Sequence, residues 1–155
     1  MLTDTDMPAV DVWTCLLRGH AAARRALSAV LQAQGLTVND YEALLLLAQA
    51  DGNHLRRVDL AEGLQLTASG VTRLLDGLEE AGLVEKATCP GDARVTYAVL
   101  TDAGRERLKE ASCSHVASVR ALFEERFTHE ELCTLADLLS RLPGTGVSRR
   151  EEYAA

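Results

Sequence analysis

Residues Leu60–Lys86 read LAEGLQLTASGVTRLLDGLEEAGLVEK, and the punctuation of that stretch decides the fold. A short helix over "VDLAEGL" ends in a turn at Gln65-Leu66. Thr67 then offers a side-chain oxygen to the unpaired N–H groups that open the next helix. Val71, Leu74, Leu75 and Leu78 recur at the spacing of one helical face, and Gly82 supplies the stop. Two extended runs follow, "LVEKA" and "VTYAVL", joined by the turn-rich link Thr88-Cys89-Pro90-Gly91-Asp92. The order is helix, turn, helix, hairpin.

Upstream, residues 10–33 carry a helical stripe of Trp13, Leu16, Leu17, His20, Leu27, Val30 and Leu31, ended by Gly35. Thr37 and Asp40 stand at capping-box distance before "YEALLLLAQAD", which Asp51-Gly52-Asn53 stops, and "HLR" is a short extended piece. Downstream, Thr101 opens a long helix with the stripe Leu108, Ala111, His115, Val119, Leu122 and Arg126. Thr128 with Glu131 caps a last helix bearing Leu132, Leu135, Leu138, Leu139 and Leu142, closed by Pro143-Gly144. The expected fold is mainly α with a small β-wing. A flexible segment 1–9 precedes a domain 10–142, and 143–155 is a loose tail. Within the domain, a winged helix-turn-helix at about 52–100 lies between helices at about 10–33 and 102–142. Those outer helices hold more apolar surface than the small central module can cover, so they are expected to dimerise.

Composition narrows the function. The 155-residue chain is 47% hydrophobic, 25% charged and only 4% aromatic, which favours helices packed through aliphatic side chains. The acidic start lacks the basic character of a secretory signal, and "ALLLLAQA" is too short to span a bilayer, so a cytoplasmic protein without membrane contact is expected. Cys15, Cys89, Cys113 and Cys133 lie far apart with no CxxC pair, so neither a disulfide framework nor a zinc finger is read. No nucleophile elbow, phosphate loop, HExxH or triad spacing points to an enzyme, and no cofactor is called for.

"LAEGLQLTASGVTRLLDGLEEAGLVEK", the wing "PGDAR" and "VLTDAG", in that order and spacing, resemble the MarR family of bacterial winged-helix transcription regulators. The resemblance covers roughly Val10 to Leu142 and departs at the wing, where the family's D-R-R is Asp92-Ala93-Arg94 and where Cys89 is unusual. It implies a homodimer that binds a pseudo-palindromic operator on double-stranded DNA, with repression and release by a small-molecule effector as family expectations. In such a reader Thr67, Ser69, Gly70, Thr72 and Arg73 begin the helix that enters the major groove, and only Arg73 can make a bidentate guanine contact. Arg94, with Asp92 beside it to orient the guanidinium or close the turn, is placed to reach the minor groove.

Charge opposes this reading. Between Gly52 and Arg107 seven basic side chains face nine acidic ones, so Arg56, Arg57, Arg73 and Arg94 must share one face. Arg73 alone could equally be a surface partner of Asp76 or Glu80. His20, Arg24, Tyr41 and His115 are the polar groups on apolar stripes that could line a cleft for an aromatic acid, or could be satisfied core polar residues. Cys15 is a redox candidate without the tyrosine-rich setting of the family's oxidant sensors, and Cys113 with His115 gives no metal-ligand signature. The competing reading is a winged-helix module that binds protein instead of DNA.

Overall fold

Every helix except Arg57–Gly63 begins where a side chain or a proline relieves its unpaired first N–H groups. Pro8 sits in the first turn of α1 (Pro8–Ala33), where the missing N–H costs nothing, so this helix starts two residues earlier than the hydrophobic stripe suggests and Pro8 and Ala9 are not flexible. Thr37 closes a full capping box with Asp40 on α2 (Val38–Gln49). A 3-10 turn at Asp51–Asn53 leads to β1 (His54–Arg56), α3 (Arg57–Gly63) and α4 (Ala68–Glu80), whose Gly70 N–H donates to Thr67 Oγ1 at 3.1 Å. The hairpin β2 (Val84–Cys89) and β3 (Asp92–Leu100) precedes α5 (Asp102–Glu124) and α6 (His129–Ser140). This computed structural model describes residues 7–89 and 92–143, with the side chains of 89–94 outside that set, as is the tail beyond Pro143.

The result is a mainly helical chain with one three-stranded antiparallel sheet, in the order β1-β3-β2. His54 pairs with Val99 and Arg56 with Tyr97, while β2 runs from Val84 opposite Leu100 to Thr88 opposite Thr96. By Cα proximity the chain falls into two compact units, Met1–Ser118 and Val119–Ala155.

In the first unit α2 is the central post. Its sequence is apolar nearly all round, as a helix packed on several sides must be, and it buries Tyr41, Ala43, Leu44 and Leu47. Against it pack Leu60 of α3, Val71, Leu75 and Leu78 of α4, Val84 and Ala98 of the sheet, and Leu108 and Ala111 of α5. Each fully buried leucine is worth about 1.5–3 kcal/mol, so α4 is fixed through one face and left to show the other. The second unit is different: no residue of α6 is buried, although Phe123 and Phe127 meet at 6.4 Å between ring centroids. Arg126 does not continue the α5 stripe; it lies exposed past the helix end and donates to the Leu122 carbonyl.

The segment "VLTDAG" ties α4 to α5. Gly82, at φ +71°, takes the left-handed turn that ends α4, and its carbonyl accepts from Thr101 Oγ1 at 2.7 Å. Thr101 Oγ1 itself accepts from Gly104 N–H at 3.0 Å, so Thr101 caps α5 and anchors it with one hydroxyl. Gly104 is compelled by space: a Cβ there would sit 2.1 Å from the Leu83 carbonyl oxygen and 2.8 Å from Leu100 Cδ1.

Gly104→Ala therefore loses about 1–3 kcal/mol in urea unfolding. Gly77→Ala, on α4 with nothing within 4 Å of the added carbon, is the contrasting control and gains up to about 1 kcal/mol from helix propensity. Equal effects at the two positions would show that the Leu83 backbone yields freely.

Candidate nucleic-acid interface

The turn between α3 and α4 sets how α4 is presented. Leu66 N–H reaches the Ala61 carbonyl at 2.9 Å and Gln65 N–H the Glu62 carbonyl at 3.1 Å, with Gln65 in the left-handed conformation at φ +53°. This closure turns the chain directly into Thr67. Ala68, Ser69 and Arg73 are then exposed at the front of α4, Gly70 and Thr72 are half-buried, and Leu74 packs against the core.

Polar partners sort these residues further. Thr72 Oγ1 donates to the Ala68 carbonyl at 2.8 Å and accepts from Arg57 Nη1 at 3.4 Å, so its proton is already used. In this arrangement Thr72 has an acceptor, and no free proton, to offer a base. Ser69 Oγ lies 3.2 Å from Thr67 Oγ1 and remains exposed. Arg57, by leaning on Thr72, joins the first turn of α3 to the front of α4.

Arg56 and Arg73 differ in their engagement. Arg56 grips Asp59 through two bonds of 2.7 Å, and this hydrogen bond raises the guanidinium pKa and holds the Asp59 carboxyl below its usual range. Arg56 must therefore leave Asp59 to meet another anion. Arg73 is exposed and has no ion pair among the described residues, since Asp76 is taken by Lys86 at 2.5 Å. Of the sequence-read set, Arg57, Thr67, Ser69, Gly70, Thr72 and Arg73 are brought together on α3 and α4. The side chains of Asp92 and Arg94 lie outside the described residues.

A second group forms where α1, α2 and α5 meet. Arg24 bonds Asn39 Oδ1 and lies 3.6 Å from Glu42, so an incoming anion would have to compete with that carboxylate. Tyr41 and His115 do meet, with ring centroids 4.5 Å apart. Ser112 gives its proton to the Leu108 carbonyl at 2.7 Å, which leaves Tyr41 O–H to donate to Ser112 Oγ at 3.1 Å. His115 Nδ1 is buried without a partner among the described residues, and burial lowers its pKa, with Glu42 opposing more weakly. His20 and Cys15 are both exposed on α1. A groove of about 520 Å³ lies in the second unit, where Phe127, Leu135 and Leu138 adjoin Glu130 and Glu131; it shares none of these residues.

Two pairings escaped the sequence reading. Cys133 Sγ lies 3.6 Å from His129 Nε2, four residues earlier on α6, a spacing that could have flagged it. Lys86 joins both Asp76 and Glu79, and only the register of β2 against α4 reveals that. No cluster of three metal-ligating side chains occurs among the described residues.

The MarR family model matches residues 34–95. An uncharacterised HTH-type transcriptional regulator, YdgJ of Bacillus subtilis (strain 168), is 32% identical over 108 residues, 70% of this chain. The chain spans 64% of that relative's length, a little under two thirds. Among solved structures, AbsC, a MarR family transcriptional regulator from Streptomyces coelicolor, is similar at 34% identity and a TM-score of 0.77, over 90% of this chain and 92% of that one. Sco3205, a MarR family regulator from the same organism in complex with DNA, is similar at 28% identity and a TM-score of 0.78, over 88% of this chain and 87% of that one.

The setting of His115 also makes stability depend on pH. Its folded pKa is lowered from the ordinary value of about 6.5, so the unfolded chain takes up the proton first. Its contribution is constant above about pH 6.5 and falls as pH drops toward the folded pKa. Urea midpoints taken from about pH 8 to about pH 5 should show this decline, and His115→Gln should reduce its slope. An unchanged slope would mean His115 is solvated in both states.

Proposed function

The chain belongs to the MarR family, and from that premise we propose that it is a sequence-specific DNA-binding transcription regulator acting as a homodimer. The observation that carries this reading is α4: one face is consumed by Val71, Leu75 and Leu78, and the other presents Ala68, Ser69 and an Arg73 with no ion pair among the described residues, behind a capped N-terminus. Small residues at the front let such a helix sit deep in the major groove, and Arg73 can address guanine with two hydrogen bonds. Arg57 and the helix N-terminus favour phosphate. Arg94, at the wing, extends the contact to the minor groove.

One such helix reads only a few base pairs, so a second copy is needed for useful specificity. Each unit offers apolar surface for it. On α1, Val10, Val12, Trp13 and Leu17 are about half exposed or more, and α6 leaves Leu138 half exposed. A second chain covering these faces would place two α4 helices about one turn of DNA apart, 10–10.5 bp, on a near-palindrome. A dimer seated on a promoter obstructs polymerase, which is how repression would follow. Release would come from a small aromatic acid near Tyr41 and His115, provided that its carboxylate displaces Glu42 from Arg24 and that it binds the released spacing better.

Selecting bound fragments from the source genome tests DNA binding and yields the operator. On that operator Arg73→Ala should weaken binding about ten- to hundredfold. If Arg73→Ala and Arg94→Ala both leave every DNA interaction intact, the protein-interaction reading gains instead. With Arg56 held by Asp59, three cations per chain (Arg57, Arg73, Arg94) remain for phosphates. The slope of log affinity on log salt should therefore be no steeper than about −5 for a dimer. Trp13 is the single tryptophan, so dilution below the dimer constant should red-shift emission, and Leu17→Asp should do so at all concentrations. A concentration-independent monomer in light scattering overturns the dimer.

A further inference from the structure

Lys86 lies on the inward face of β2. It stands opposite Ala98 of β3, which is fully buried, and two residues after Val84, which is 1% exposed, so all three point to the side on which the core sits. A lysine in such a position must carry its charge past the core edge to a partner. Lys86 finds two: Nζ is 2.5 Å from Asp76 Oδ1 and 2.8 Å from Glu79 Oε2, carboxylates one turn apart on α4. These hydrogen bonds, Asp76 first and Glu79 second, raise the lysine pKa.

The bridge answers a defect of α4 itself. The second half of α4 carries Asp76, Glu79 and Glu80, and its last turn has no basic residue. Acids there oppose the helix dipole, and a cation supplied from β2 compensates. The position along the hairpin matters more. β1 pairs with β3 only from Val99 to Tyr97, so past Tyr97 the wing is a two-stranded ribbon with an irregular register between Thr88 and Cys89. An unsupported ribbon of that kind twists and bends readily. Lys86 crosses to α4 from the three-stranded part, opposite Ala98 and one residue before the level of Tyr97 at which the third strand ends and the ribbon begins.

We propose that Lys86 is a positioning residue for DNA binding: by holding the root of the wing to Asp76 and Glu79, it fixes the reach between Arg73 on α4 and Arg94 at the wing tip. The proposal rests on the DNA-binding reading above. Two of the three ammonium donors are committed to Asp76 and Glu79, so the role assigned to Lys86 is to hold the wing and not to bind phosphate. It acts by making two separate arginines a single rigid fork, which spares the complex the entropy of ordering the wing.

The experiment uses the full-length chain and its genome-selected operator. Lys86→Met keeps the aliphatic stem and removes the charge; Lys86→Arg keeps both. Lys86→Met should bind about tenfold more weakly and Lys86→Arg near wild type. Arg94→Ala should cost about tenfold in the wild type but less than about twofold in the Lys86→Met background, because a loose wing has already lost that contact. Equal costs of Arg94→Ala in the two backgrounds overturn the proposal, as does full affinity in Lys86→Met. Amide exchange in the DNA-free protein separates the two readings. Faster exchange confined to the wing in Lys86→Met supports the tie even if no DNA fragment is ever bound, whereas unchanged wing exchange overturns it. Exchange raised throughout the chain would show a merely structural residue and overturn it as well.

Discussion

The packing of α4 onto α2 is the constraint on which the remaining features depend. A helix of 13 residues that gives Val71, Leu75 and Leu78 to the core has no freedom to rotate, because turning it would expose those side chains and bury Arg73. The Thr67 cap fixes where it starts, and the Gly82 turn with the Thr101 bridge fixes where it stops. The outward residues are thereby chosen by exclusion: what the core does not take, the surface must show.

Charge follows the same local logic. An excess of acid over the central module seemed to weigh against a polyanionic partner, yet the acids are not spread evenly. Asp59 answers Arg56, and Asp76 with Glu79 answers Lys86, so several opposite charges cancel where they stand. Exposed pairs of this kind contribute little to stability, but they settle which cations remain available. Arg73 remains available because its nearest helical acid, Asp76, prefers the lysine from β2. Net charge is a poor guide to such a surface.

The two units differ in how well a single chain satisfies them. The first encloses a continuous aliphatic core, and its polar intrusions are mostly bonded: Tyr41 to Ser112, Arg24 to Asn39 and Glu42, and Arg107 to the Gln34 carbonyl at 2.8 Å. His115 is the exception. In the second unit α6 has a well-made capping box and an apolar stripe, yet it buries nothing. A helix whose apolar stripe is at most half covered is incomplete alone, as is the apolar front of α1.

The sequence by itself determined the order of elements, the two capping boxes, the helix-turn-helix, the wing and the inward stripe of α4. These are set by neighbours a few residues apart, through cap hydrogen bonds, glycine turns and helical periodicity, and a linear text records such distances. Even there the start of α1 was misplaced, because Pro8 extends a helix without contributing to its apolar stripe. Only the tertiary structure decided which polar groups are engaged. It gave Arg56 to Asp59, gave Arg24 to Asn39 and Glu42, spent the Thr72 proton on Ala68, brought Tyr41 against His115, and joined Lys86 to α4. A hydrogen bond depends on ångström-scale approach and direction, and for residues on different elements those are fixed only once the core has set the elements against one another.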